Sequence, residues 1–419
     1  MPVMITSTLS SARRQAARRS RQVKNILANE GHRGITDRAR TMMADWMRPK
    51  RIVWQVEPSD VIAADLSQPF KPIVPRLAPG EAITVNWVTT PAGPGSGGHM
   101  TTYRMIRYLD RLGYTNRVYF YDLHRADRKY YEDVAREHYG FTNQIADVRD
   151  GISDAHAIIA TSWPTAYPLF NARCTGKRFY FVQDFEPYFE PVGAQSVLAE
   201  NTYKMGFHAI TAGQWLAKKV SRDYGMEADY FPFGCDTTRY KRDAGVKRSG
   251  IAFYARSGTP RRGVELGLLA LEIFAKRQPQ VDIHLYGQKL PDVPFRAINH
   301  GLVSSLQLNK IYNQCFAGLT LSLTNLSLVP YEMLAAGCVP VMNDAEHNRL
   351  VMQSEHVRYA ETTPHALAVA LEKIVVDPDF DSLSRKAADS IKSVSWDDAG
   401  AAVDAAFRRA LGVDQYPGN

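Results

Sequence analysis

AGLTLSLTNLSLVPYEMLAAGCVPVMND, residues 317–344, is the stretch from which the fold is read. AGLTLSL (317–323) reads as a buried strand, 328–336 as a helix and CVPVMND (338–344) as the next strand. Strand, helix and strand in direct succession form a βαβ unit, which requires the two strands to run parallel. One acidic residue, Glu332, lies in the apolar helix. Ser327 reads as its N-cap, and Pro330 suits its first turn. Glu332 then has two readings. It complements the positive end of the helix dipole, worth some tenths of a kcal/mol, or its two acceptor oxygens hold a vicinal diol such as that of a ribose. The residues alone leave these about even.

The alternation extends in both directions. Before the stretch come a strand GIAFYAR (250–256), a helix over 264–278, a strand VDIHLYG (281–287) and a helix over 305–315. Further upstream, AITVNWVTT (82–90) feeds a glycine-rich loop, PAGPGSGGHM (91–100), and then an amphipathic helix with Met105, Ile106 and Leu109 inward. Strands follow at 117–123, 155–163, 177–185 and 207–213, with helices between them. The pattern predicts an α/β protein with two doubly wound Rossmann-like domains joined near 231–245. Their ligand crevice lies outside the carboxyl ends of the strands.

The net charge of +8 is unevenly spread. Residues 1–52 hold twelve Lys and Arg against three acidic residues, so the rest of the chain is close to neutral. Residues 11–50 read as helical, broken at Gly31 and Gly34 and stopped by Pro49, with Met42, Met43, Trp46 and Met47 on one side. The plainer reading is a solvated helical pair. The sharper one is an arm, residues 11–51, that meets an anionic membrane surface or an assembly partner. Nucleic acid is not expected, because no recognition motif accompanies the charge and the body is not basic. No apolar run approaches the ~20 residues of a membrane span, and the N-terminus lacks the apolar core of a signal peptide. Cys174, Cys235, Cys315 and Cys338 are far apart, which argues against a zinc site and fits reduced thiols. The expected location is cytoplasmic, with the arm a candidate for the inner membrane face.

Four groups can carry chemistry. Gly93, Gly95, Gly97 and Gly98 stand between a strand and a helix, where backbone N–H groups can approach an anion. Asp122 ends the next strand and keeps a nicotinamide enzyme among the readings. Arg256 ends a strand and Arg262 opens the next helix, so their planar forks can clamp a diphosphate. In FVQDFEPYFEP (181–191), Gln183, Asp184 and Glu186 with Tyr188 and Phe189 suit a sugar. His99, His156 and His208 are further candidates, with His99 first because it follows the glycine loop.

Together these pieces resemble the retaining glycosyltransferases of family 4, which have the GT-B fold. YEMLAAGCVPV matches the second half of the family's C-terminal signature, and PFGCDTTRY (232–240) its inter-domain turn. The pair AR (255–256) and RG (262–263), the strand end HLYG (284–287) and the loop HGLV (300–303) have family counterparts. SWDDAGAAVDAAFRRAL (395–411) is similar to the closing helix that packs back on the first domain. One position departs: Thr324 stands where the family has the first Glu of its E-x7-E pair, near the donor sugar. The combination with the long basic arm is similar to bacterial rhamnosyltransferases that use dTDP-L-rhamnose in polysaccharide assembly.

The resemblance implies a basic arm and linker (1–80), an acceptor domain (81–235) closed by helix 395–412, and a nucleotide-sugar domain (236–394). It implies Arg256 and Arg262 on the diphosphate and Glu332 on the ribose. Backbone N–H groups of Ser327 and Leu328 meet the distal phosphate, Gly95, Gly97 and Gly98 face the same phosphates, and Gly287 and Leu302 flank the base. Asp184, Glu186, His99 and Thr324 are the catalytic candidates. The expected reaction is retaining and needs no metal or cofactor beyond the nucleotide-sugar donor. The acceptor is a growing, lipid-linked glycan. Two other classes stay open: a nucleotide-sugar epimerase of the same fold, and a non-catalytic glycan-binding scaffold motivated by Thr324.

Overall fold

The computed structural model describes residues 3–50, 52–68, 70–78, 80–125 and 127–413. Of the basic positions read in the arm, Arg51 and the side chains of Arg13, Arg14 and Arg19 lie outside the described residues. The chain divides into two compact units, residues 1–54 and 55–419.

The first unit is built on one helix, Val3–Met47, which changes direction at Gly31 (φ 61°). A left-handed φ costs glycine little, so the break falls where the sequence supplies one. Gly34 stays within the helix. Arg38 closes a two-pronged bond across the break, donating to both oxygens of Glu30 at 2.5 and 2.8 Å. Met42, Met43, Trp46 and Met47 are exposed. Among the described residues no helix is long and apolar enough to cross a membrane.

The second unit holds two parallel sheets. The first contains β1 (Thr84–Thr89), β2 (Thr115–Phe120), β3 (Ile145–Asp147), β4 (Ala157–Ala160), β5 (Lys177–Val182), β6 (His208–Ala212) and β7 (Ala228–Phe231). Their order is β3-β2-β1-β4-β5-β6-β7. The second contains β8 (Gly250–Tyr254), β9 (Asp282–Tyr286), β10 (Ile298–Gly301), β11 (Cys315–Leu319), β12 (Val339–Asn343) and β13 (Arg358–Ala360), in the order β10-β9-β8-β11-β12-β13. The chain direction across each sheet reverses between β1 and β4 and between β8 and β11. Loops leaving those strands diverge and open a crevice at the carboxyl ends. The loops concerned are the glycine loop after β1, residues 255–263 after β8 and residues 320–328 after β11.

The strands read in the sequence are the central ones. The structure adds β3, β7, β10 and β13, which are the four sheet edges. Each is three or four residues long, and β7, β10 and β13 are largely unburied. An edge strand covered on one side needs no continuous apolar run, so its pattern is weak.

Helix Trp396–Leu411 packs on the first sheet. Phe407 meets Phe179 edge-on at 4.9 Å, and Tyr114 donates to Asp404 at 2.5 Å. Gly400 permits this approach: a Cβ there would lie 2.2 Å from the Tyr108 ring. Residues 55–80 also pack into the body. Val56 is fully buried, Tyr121 donates to Asp60 at 2.7 Å, and the Phe70 ring packs against Phe170 at 5.1 Å, tilted by 31°.

Candidate active-site cleft

The two sheets meet where the loop after β5 faces the loops after β8 and β11. Asp184 is the centre of the seam. Its Oδ1 accepts the backbone N–H groups of Phe185 and Asn325, each at 2.9 Å, and its Oδ2 accepts Arg261 Nε at 3.1 Å. Arg262 Nη2 is 3.9 Å from the same oxygen. Asn325 adds two bonds from its amide, to Gln183 O at 2.9 Å and Ala212 O at 2.8 Å. One buried asparagine of the second sheet thus holds two strand ends of the first.

Arg262 donates to Ser322 Oγ at 2.7 Å and to Asn325 O at 3.1 Å. Burial lowers its pKa and the Asp184 charge opposes that shift, so the guanidinium is held near a carboxylate rather than left alone. Arg261 lies over the Phe189 ring at 3.9 Å. The loop 320–328 is itself fixed from behind. Asn343 exchanges bonds with the Ser322 N–H and C=O at 2.9 Å each, and His347 Nε2 donates to Ser322 O at 2.7 Å. Burial keeps His347 below its usual range, consistent with that neutral tautomer.

Thr324 and Asn325 are 1% and 0% exposed, yet Thr324 Oγ1 and Asn325 Oδ1 have no hydrogen-bond partner among the described residues. Such unmet groups cost ~1–3 kcal/mol each. Ser327 is not the N-cap expected of it. The helix is Val329–Ala335, with Leu328 at the cap position and no side chain on its first-turn N–H groups. Those donors are left to whatever approaches the loop.

Glu332 does not face open water. Burial pushes its carboxyl up to about 7, opposed by hydrogen bonds from Tyr240 and Tyr312 and by the Arg104 charge. Tyr312 is in turn 2.8 Å from Tyr286, hydroxyl to hydroxyl. Tyr240 belongs to the inter-domain turn and Arg104 to helix Gly97–Arg111 of the first sheet, so Glu332 sits where the two halves converge.

The glycine loop is pinned at its base and open at its rim. His99 Nε2 donates to Thr90 O at 2.8 Å, and Nδ1 is 2.8 Å from Ser96 Oγ. Tyr139 Oη donates to Gly93 O at 2.7 Å. A Cβ at Gly93, Gly95 or Gly97 would meet nothing within 4 Å. The Ser96 hydroxyl is used by His99, so helix Gly97–Arg111 starts without a side-chain cap.

The remaining candidates fall in different places. Arg256 is exposed after β8. Gly287 turns at φ 103°, and a Cβ there would strike the Tyr254 ring at 2.6 Å. Leu302 is 89% exposed after β10. Glu186 is enclosed in the first sheet's core: it accepts Trp163 N at 2.5 Å and Tyr180 Oη at 3.3 Å, and burial raises its pKa to about 8. Both ring nitrogens of His99 are engaged inside the loop. The structure therefore gathers Asp184, Arg262 and Thr324 at the seam, and gathers neither Glu186 nor His99 there. Arg261, Asn325 and Arg104 are the residues that sequence reasoning passed over. Arg261 adjoins Arg262, and no sequence signal says which guanidinium turns inward.

Two parallel α/β sheets opposed across a cleft, closed by a returning C-terminal helix, define the GT-B fold. Solved structures of that fold match with little sequence identity. TarM aligns at TM-score 0.64 with 8% identity, over 79% of this chain and 100% of that one. The pneumococcal O-GlcNAc transferase GtfA, in complex with UDP and GlcNAc, aligns at 0.62 with 9% identity, over 79% and 99%. The sucrose-phosphate synthase of Thermosynechococcus elongatus aligns at 0.60 with 12% identity, over 79% and 100%. More particularly, residues 249–372 match the family described as WsaF, C-terminal domain. The chain is 32% identical over 269 residues to the O-antigen biosynthesis protein RfbC of Myxococcus xanthus, covering 62% of this chain and 21% of that protein's length.

Proposed function

We propose that the protein is a glycosyltransferase of surface-polysaccharide assembly that takes L-rhamnose from dTDP-L-rhamnose and adds it to a growing, lipid-linked glycan. The observation that carries the glycosyltransferase reading is the extent of the WsaF C-terminal match; the donor is proposed from the sequence resemblance alone. The match spans Arg256, Arg262, Gly287, Leu302, Thr324, Ser327, Leu328 and Glu332 in one segment. The RfbC likeness supports the polysaccharide context.

In this reading Arg256 and Arg262 neutralise the leaving diphosphate. The uncapped N–H groups at 327–329 and the open rim at Gly95, Gly97 and Gly98 add oriented dipoles. Preorganised charge of this kind stabilises the departing group without reorganisation during the reaction. That is the role a metal would otherwise fill, so the reaction is proposed to be metal-independent; retention is proposed from the resemblance to the family 4 glycosyltransferases alone. Glu332 takes the ribose diol once Tyr240 and Tyr312 share it, Leu302 covers the base, and Thr324 lies against the sugar. Asp184 holds the cleft halves in register. The arm is proposed to rest on an anionic membrane face through its arginines and the Met42, Met43, Trp46 and Met47 side chains.

The test is a donor panel. Incubation with dTDP-L-rhamnose and UDP-sugars, with and without a glycan acceptor, should give acceptor-dependent rhamnose transfer. Release of an isomerised nucleotide sugar without acceptor would instead support the epimerase reading.

A further inference from the structure

Helix Gly97–Arg111 places Arg104, Arg107 and Arg111 three and four residues apart, on one face. With Tyr108, Trp396 and two carboxylates, Asp110 and Asp397, they line a cavity of about 370 Å³ between this helix and the start of the closing helix. None of the candidate donor-binding groups lines it, and Arg104 is the one lining residue whose charge also reaches Glu332. Arg104 stacks over Trp396 at 4.4 Å, and Arg111 stacks over Tyr108 at 5.0 Å while donating to Asp397 at 2.6 Å.

Arg104 and Arg107 have neither hydrogen bond nor ion pair among the described residues. Arg107 instead lies along Gly140, at the end of helix Arg128–Tyr139. Arg104 is partly buried; the charges of Asp236 and Glu332 attract it, while Arg239 and Arg107 repel it. Arg111 is already paired with Asp397, whereas Arg107 is exposed and Arg104 partly buried, so an anion bound between these two would pair with both guanidiniums. Trp396 packs tightly on the inter-domain turn: a Cβ at Gly234 would be 2.4 Å from the indole. Two unpaired forks beside two aromatic faces suit a phosphate ester better than a neutral sugar, since planar guanidinium matches phosphate oxygens in pairs.

We propose that this cavity binds a phosphate or diphosphate separate from the nucleotide sugar, and that its ligand is the phosphate end of the acceptor's lipid carrier. The second clause rests on the glycosyltransferase reading; the first does not.

The test is titration of the full-length protein, saturated with dTDP, with pyrophosphate and with farnesyl diphosphate. Both should bind, farnesyl diphosphate more tightly. Arg107→Gln should weaken both by ~10-fold, as expected for a charge-assisted bond, Arg107→Lys by less, and neither should change dTDP affinity. No binding by either probe, or equal binding by wild type and Arg107→Gln, overturns the site. Equal affinities for the two probes overturn the lipid-carrier clause and leave a phosphate site. Arginine-dependent binding of the probes with no dTDP binding keeps the site and removes the donor reading.

Discussion

Asn325 donates its backbone N–H to Asp184 Oδ1 at 2.9 Å, while Arg261 holds the other oxygen of that carboxylate at 3.1 Å. This contact joins the loops of the two sheets, together with the Asn325 amide bonds to Gln183 O and Ala212 O. The carboxylate is buried, and removing one partner of a buried charged set strands the others. Asp184→Asn should therefore lower unfolding stability by about 2 kcal/mol, read as a shift of the urea midpoint. An unchanged midpoint would show that the seam contributes nothing to stability.

The glycine rim separates a fold role from a ligand role. Gly97 begins a helix, and a Cβ there meets no atom within 4 Å, so Gly97→Ala should leave stability unchanged or slightly raised. If backbone at the rim cradles phosphates, the same change should weaken dTDP binding by ~10-fold or more, because the methyl occupies the approach path. Unaltered dTDP affinity would assign the glycines to the turn alone.

Thr324 carries a buried hydroxyl with no partner. Thr324→Val keeps the shape and removes the unmet group, so stability should hold or rise by up to ~1 kcal/mol. Should the hydroxyl read the donor sugar, kcat/KM for the nucleotide sugar falls while dTDP affinity stays the same. Equal kcat/KM would leave Thr324 without a part in sugar recognition.

Glu186 gives a pH signature. Burial raises its carboxyl to about 8, so the folded protein keeps a proton that the unfolded chain has lost above the ordinary carboxyl range. Folded protein then binds more protons than unfolded protein in that window. Its stability contribution is complete at low pH and is lost as pH rises towards 8, with a slope of up to ~1.4 kcal/mol per pH unit. Glu186→Gln should flatten the fall in the urea midpoint between pH 5 and 8. A slope equal to that of wild type would mean the carboxyl is ionised in the core.

Much of this was legible in the residues. Continuous apolar strands such as FYFV of β5 and CVPV at the start of β12 are buried on both faces and announce themselves. The edges β3, β7, β10 and β13 do not, because three or four residues are too few to carry a pattern, and in β7, β10 and β13 most are not buried. At the site, Glu332 and Arg262 were marked by position on a helix start and after a strand end. Arg261 and Asn325 were not, since their roles depend on which way a loop turns across a seam between residues more than sixty positions apart. Arg104 reads as a solvent residue of an amphipathic helix until Trp396, far along the chain, is folded against it.

For the arm, deletion of residues 1–52 should leave donor turnover in solution intact and reduce binding to anionic vesicles in sedimentation. Equal sedimentation of both proteins would remove the membrane reading.

The central claim is that Glu332 and the arginine-bearing loops hold a nucleotide sugar. Calorimetric titration of wild type and Glu332→Gln with dTDP and dTDP-L-rhamnose tests it most directly. The account predicts saturable binding by wild type and at least ~10-fold weaker binding by Glu332→Gln, the loss expected for a charged acceptor on a diol. Identical affinity in the two proteins, or no binding of any nucleotide to wild type, would contradict it.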